Sequence, residues 1–250
     1  MNHRLWKELT GKEKMVLMNY RRVRVGIVVL ALLIDCLLPV MGVSAAQMRY
    51  TVLIDPAHGG DDPGVVSDRL REKDLTMSIA LLMRQEAQKV ENLQLQLTRT
   101  ADRTMTVAER IKTAAAMKPD CLISLHINAG FGKNASGYEV YFPGFRQGPA
   151  PGGESAPILK DMVKNRSLND AVRLAQHVQA SIDTVFPRKG RGLRDAPSPL
   201  LDGVTMPGLV VELGFATNPE ERKRLTSEET QRAIARALIK GIRDYFAKTP

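Results

Sequence analysis

From residue 50 onward, apolar and polar positions switch repeatedly between two periods. YTVLID (50–55) is a short apolar run rich in β-branched residues and predicts a buried strand. Glu72–Val90 carries Leu75, Ile79, Leu82 and Met83 at helical spacing, and LQLQLT (93–98) alternates as a strand does. VAERIKTAAAMK (107–118) predicts a helix that Pro119 ends. DCLISLHINA (120–129) and GYEVYF (137–142) predict two more strands, and residues 168–186 an amphipathic helix. GLVVELGF (208–215) is a further buried strand. Ser227–Phe246, with Ile234, Leu238, Ile239 and Ile242, is the closing helix. This alternation predicts a single α/β domain: a mostly parallel central sheet of about six strands with helices on both faces. In such sheets, functional groups collect at the carboxyl ends of strands.

Two stretches stand outside the pattern. PGFRQGPAPGGESAP (143–157) is rich in Gly and Pro and reads as a loop, followed by a short amphipathic segment, Ile158–Asn165. Loops of this length are often lids or binding loops, and the alternative is a disordered surface insertion. At the other end of the chain, Arg21, Arg22 and Arg24 precede an apolar stretch, Val25–Gly42, and then the small residues Val43–Ala46. A basic region, an apolar stretch and a small-residue site make an export signal, so residues 1–46 are expected to be cleaved and 47–250 to form the domain. The alternative is an anchor left in the membrane; Asp35 and Pro39 interrupt the stretch, which is short for a span.

Composition adds limits. The net charge is +9, but residues before Gln47 supply 7 basic and 3 acidic side chains, which leaves 29 against 24, or +5, for the remainder. That modest excess suits an anionic polymer such as a cell wall. No basic patch interleaved with aromatics points to nucleic acid. Cys36 falls in the signal, so Cys121 is alone in the domain and no internal disulfide can form there.

The chemistry sits at the strand ends. YTVLID delivers His58, CLISLH delivers His126 and LVVE delivers Glu212. A lone histidine at a strand end is usually structural, but three buried strands each ending in an ionisable side chain are hard to assign to packing, because a buried charge is costly unless paired or metal-bound. Glu72 opens the helix after the first strand. It either complements the helix dipole or leans towards the strand ends. Two histidines and a glutamate are a common ligand set for catalytic zinc, with one position left open. Glu212 is then the proton-accepting carboxylate. Lesser candidates are Asn128, Glu139 and Arg194 for substrate and Asp55 as an orienting partner of His58. His177, within LAQHVQ, reads as a structural helix residue.

LIDPAHGGDDPG, REKDLTMSIALLM, LTRTAD, AERIKTA, DCLISLHINA, GYEVYF, RGLRDA and VVELGFATNPEE stand in the order and rough spacing of the zinc-dependent N-acetylmuramoyl-L-alanine amidases of the amidase-3 type. The chain resembles that family over about residues 50–247. The resemblance implies one zinc held by His58, Glu72 and His126, with Glu212 catalytic, and hydrolysis of the amide between N-acetylmuramic acid and L-alanine in peptidoglycan. The export signal implies a periplasmic or cell-wall location, with membrane contact only through that segment during export. Some members of the family carry an inserted helix that occludes the zinc until a protein activator displaces it. Segment 143–166, with Glu154, occupies that place. The family usually has glycine where this chain has Ala57. The rival readings are a zinc peptidase acting on the stem peptide, a wall-binding homologue without catalysis, and a phosphate loop at HGGDDPG. Asp61 and Asp62 would repel phosphate in the last of these.

Overall fold

The computed structural model describes residues 10–16, 18–20, 23–24, 49–144, 155–186 and 190–248, and for 155–165 the backbone alone. By contacts the chain divides into two units, Met1–Gln47 and Met48–Pro250. The described part of the first is helical, with Thr10 bonding Glu13 at its start. The expected apolar signal stretch and its small-residue site lie outside the described residues. Among the described residues no helix is long and apolar enough to cross a membrane.

The second unit runs β1 (Tyr50–Pro56), β2 (Val66–Ser67), β3 (Leu70–Arg71), α1 (Glu72–Ala87), β4 (Leu93–Leu97), α2 (Val107–Met117), β5 (Cys121–Asn128) and β6 (Tyr138–Phe142). It continues with α3 (Ser155–Ile182), β7 (Gly190–Asp195), α4 (Pro199–Asp202), β8 (Gly208–Phe215), α5 (Pro219–Leu225) and α6 (Glu228–Ala247). The main sheet has the order β4-β1-β5-β8-β6-β7. Every neighbouring pair is parallel except β8 with β6, so β6 and β7 run against the other four strands. This is the α/β domain that the alternation predicts, with β7 a strand the hydrophobic pattern did not show. The pattern is weak there because RGLRD carries three charges on an edge.

Side-chain alternation divides the core into two layers. Val52 and Ile54 of β1, Ile123, Leu125 and Ile127 of β5, and Leu209, Val211 and Leu213 of β8 all join the larger cluster, which α1, α3 and α6 cover. Leu53 and Leu122 face the other way, onto a small cluster with Ala114 of α2 and Leu200 and Leu201 of α4. The second face is therefore only thinly apolar. Towards the strand ends its positions become Asp55, Ser124, His126, Glu212 and Glu139, which share the parity of Leu53, Leu122, Val210 and the gap between Tyr138 and Val140.

Local signals explain the boundaries. Thr106 caps α2 in a full capping box with Glu109, and Lys118 in a left-handed conformation ends it before Pro119. Ser227 caps α6. The expected pair of helices at Ile158–Asn165 and 168–186 is instead one continuous helix, α3. Pro157 is compatible with it because it lies in the first turn, where no helical partner is lost. Of the expected loop 143–157, residues 145–154, Glu154 among them, lie outside the described residues.

Candidate metal centre

The corner after β1 is built from the backbone outward. His58 sits at φ 61, a left-handed conformation uncommon outside glycine, and Gly59, Gly60 and Gly64 also have positive φ. Gly64 is required twice over: a Cβ there would fall 2.5 Å from Glu72 Oε2 and 2.6 Å from His58 Cδ2. Ala57 does not have positive φ and is buried at 2% exposure, so its methyl group meets no conformational demand for glycine. Two buried arginines hold the corner's carbonyls. Arg99 donates to Pro56 O at 2.9 Å and Ala57 O at 3.1 Å. Arg110 donates to Pro56 O at 3.2 Å and His58 O at 2.7 Å.

Asp55 takes part at one remove. Its carboxylate pairs with Arg110 and accepts from Thr98 at 2.6 Å and Ser124 at 2.8 Å. The partner on the His58 ring is Asp62, with Nδ1 to Oδ2 at 2.7 Å, which leaves Nε2 turned towards Glu72 Oε2 at 3.1 Å. Sequence reasoning passed over Asp62 because its four-residue offset from His58 becomes a contact only once the glycine turn brings Gly59 and Asp62 back into a β-bridge.

Glu72 is the first residue of α1 and 1% exposed. The two-residue strands β2 and β3 form the hairpin that delivers it. Its backbone N–H donates to Val65 O, while Val65 N–H donates back to Oε2 at 2.9 Å. Oε1 accepts from Ile127 N–H at 2.9 Å and faces His126 Nδ1 at 3.1 Å. Burial alone would raise the carboxyl. The hydrogen bonds from His126, His58 and the two amides outweigh it and hold the group down to about 2. In the metal-free state the bond to Glu72 pushes His58 up to about 9, against burial and with help from Asp62.

One ligand atom from each of His58, Glu72 and His126 lies within 4.8 Å of the others. Two imidazoles and one ionised carboxylate converge here, with Asp62 holding the far side of the His58 ring, and this donor set fits a divalent metal of the zinc type.

Glu212 stands beside this cluster and differs from Glu72. It is the register partner of His126 across β5 and β8 and of Glu139 across β8 and β6, so the three share one row of one face. Its Oε2 is buried without a hydrogen-bond partner among the described residues. Burial, assisted by the charges of Glu72 and Glu139, pushes it up to about 7. Glu139 is 3% exposed and fully engaged: Asn128 Nδ2 donates to Oε2 at 2.9 Å, Tyr141 donates to it at 2.6 Å, and Arg191 reaches Oε1 at 2.8 Å. Arg194 lies 3.6 Å from the same oxygen. Asn128, Glu139 and Arg194 are thus brought together beside Glu212. Arg191 was not singled out in the sequence, since nothing in RGLRD distinguishes one arginine from the other. His177 lies away on α3, packed edge-on against Tyr245 at 6.4 Å.

Comparison with known proteins agrees with this geometry. Residues 52–244 match the amidase-3 family, N-acetylmuramoyl-L-alanine amidase. The uncharacterized protein YqiI of Bacillus subtilis is 30% identical over 196 residues, 78% of this chain and 84% of that one. The crystal structure of an N-acetylmuramoyl-L-alanine amidase from Clostridium difficile 630 is 30% identical, with a TM-score of 0.67 over 81% of this chain and 99% of that one. The CwlD amidase of Clostridioides difficile, solved in complex with the GerS lipoprotein, shares the fold at 23% identity and a TM-score of 0.64, over 80% and 100%. With the fold, the two-histidine, one-glutamate cluster and the family match in agreement, this chain belongs to the N-acetylmuramoyl-L-alanine amidases, the cell-wall enzymes that hydrolyse peptidoglycan.

Proposed function

We propose that His58, Glu72 and His126 hold one zinc ion, and that Glu212 is the general base and then the general acid for cleavage of the amide joining N-acetylmuramic acid to L-alanine. The observation that carries this reading is the row across the sheet. A carboxylate kept partly protonated near neutrality is the register partner of a ligand histidine. When bound, zinc supplies Lewis-acid polarisation of the scissile carbonyl and of a water molecule. Glu212 takes the proton as the water adds to the carbonyl carbon. It returns the proton to the departing nitrogen as the C–N bond breaks, giving the lactyl carboxylate and a stem peptide with a free L-alanine amine. Asp62 keeps His58 oriented, and the Glu72 bonds to Val65 and Ile127 keep that carboxylate ionised.

The family acts on the wall outside the cytoplasm. An export signal in residues 1–46, its boundary next to the unit boundary at Gln47, supports delivery to the periplasm or wall. Segment 143–166 with Glu154 is proposed as the point where a protein activator acts. Deleting 146–164 is expected to raise basal release of stem peptides, and unchanged or lost activity removes the segment from an inhibitory role. The central test is incubation of the protein with peptidoglycan, with and without a chelator, and identification of products by mass. A new L-alanine amine that vanishes on metal removal and returns with zinc is expected. Cleavage within the stem peptide, or activity that survives full metal removal, overturns the reading.

A further inference from the structure

The row that begins at His126 does not stop at Glu139. β6 and β7 run opposite to β8, so their amino ends, not their carboxyl ends, meet the catalytic edge. That places Glu139, the second residue of β6, and Arg191, the second of β7, beside Glu212. Arg191 reaches Glu139 through Nε at 2.8 Å and lies with its guanidinium 5.1 Å from the centre of the Phe215 ring at the end of β8. Arg194 approaches the same Glu139 oxygen at 3.6 Å. The carboxylate is buried, whereas the two arginine side chains keep 42% and 47% of their exposure.

Glu139 is thus a tether. A guanidinium has five N–H donors in a planar fork, and a single Nε contact leaves the terminal nitrogens of Arg191 for another acceptor. Two cations against one buried anion leave one positive charge in excess. Asn128 and Tyr141 fill the other Glu139 oxygen, and burial together with the bond to Glu139 pushes the Tyr141 hydroxyl up to about 12, so it stays a neutral donor. The pair is carried on β7, two strands beyond Glu212, or about 10 Å at the usual strand spacing of about 4.8 Å, and its guanidiniums lean back towards Glu139 on the strand between. An extended peptide covers about 3.5 Å per residue. A group on the residue after L-alanine, about 7 Å from a scissile nitrogen held at Glu212, therefore falls between Glu139 and β7, where the two guanidiniums lie.

Resting on the amidase reading above, we infer that Arg191 and Arg194, tethered by Glu139, form a subsite for a free carboxylate on the second residue of the peptide stem, on the leaving-amine side of the cut. The enzyme then distinguishes stems whose second residue carries a carboxylate from those in which it is the carboxamide, because only the former completes the charge-assisted fork.

The test compares two N-acetylmuramoyl dipeptides that differ only in that group, acid against amide. The wild-type protein is expected to favour the acid by about 10- to 100-fold in kcat/KM, the range of a charge-assisted hydrogen bond. Arg191→Gln and Arg194→Gln are each expected to pull that ratio towards one, mainly through KM, with Arg191→Lys intermediate. Metal content and melting temperature, measured in parallel, separate loss of the subsite from loss of the fold. A wild-type ratio of one, or a ratio that both glutamine variants leave unmoved in folded, metal-loaded protein, overturns the subsite alone. Failure of the wild type to cleave either dipeptide or whole peptidoglycan overturns the amidase reading, and the subsite with it.

Discussion

Two glutamates stand within the same site, and their surroundings push them in opposite directions. Glu72 is surrounded by donors: two backbone amides and two imidazoles hold it down to about 2. Glu212 is equally a carboxylate in a dry place, but Oε2 has no donor among the described residues, and burial carries the group up to about 7. In the proposed mechanism this difference lets one residue type serve two tasks. A metal ligand must keep its charge, and dedicated N–H groups fix it. A proton carrier must give up its charge near neutrality, and withholding donors achieves that. The rigidity of the two regions follows the same division. The His58–Glu72 corner is pinned by Arg99, Arg110 and Asp62, while Glu212 is positioned by strand register alone.

The strongest way to break this comparison is Glu212→Gln. It is expected to lower kcat by about 10²- to 10⁴-fold while the protein retains its metal, measured by product release alongside metal analysis. If the metal is lost instead, the two glutamates are not divided by role. Next in size is Asp62→Asn, which weakens the partner of His58 Nδ1. Zinc affinity is expected to fall about 10- to 100-fold, read by competition with a chromogenic chelator. An unchanged affinity would show that the corner's backbone alone orients His58.

A smaller effect concerns pH. In metal-free protein the folded state raises Glu212 from its ordinary 4.5 to about 7, so the native form holds that proton more tightly than the unfolded chain. A stability penalty for ionising it therefore develops as pH rises through 4.5 to 7 and is complete above 7. Glu212→Gln removes the penalty. The melting temperature of the metal-stripped variant should gain on wild type between pH 4.5 and pH 8, and a constant difference would mean that the carboxylate is well solvated. The least effect is expected from Ala57→Gly. Because Ala57 is not in a left-handed conformation, glycine gains nothing in the fold and costs about 0.4–1 kcal/mol through the unfolded chain. Denaturant unfolding would show it, with zinc affinity unchanged.

Much of the site was legible in the chain because it follows local rules. Apolar runs ending in His58, His126 and Glu212 mark strands whose last side chains leave the core, and an acidic first turn marks Glu72. The relations among these residues were less visible. Asp55, adjacent to the corner, looked like the orienting partner, yet its carboxylate bonds Arg110, Thr98 and Ser124, and the ring of His58 is met by Asp62. The continuous helix α3 was hidden by a proline that is harmless in a first turn, and β7 by charges that an edge strand tolerates.

By itself the sequence determined the strand and helix alternation, the α/β class with helices on both faces of the sheet and the set of ionisable residues at strand ends. These depend on periodicity and local chemistry, which one chain carries without reference to distant parts. Only the tertiary structure decided that β6 and β7 reverse, which brings Glu139 and Arg191 from strand beginnings to the catalytic edge. It alone gave Glu72 its donors and left Glu212 Oε2 without one among the described residues. Those outcomes depend on which strands become neighbours, and pairing across the sheet is settled by the packing of the whole domain.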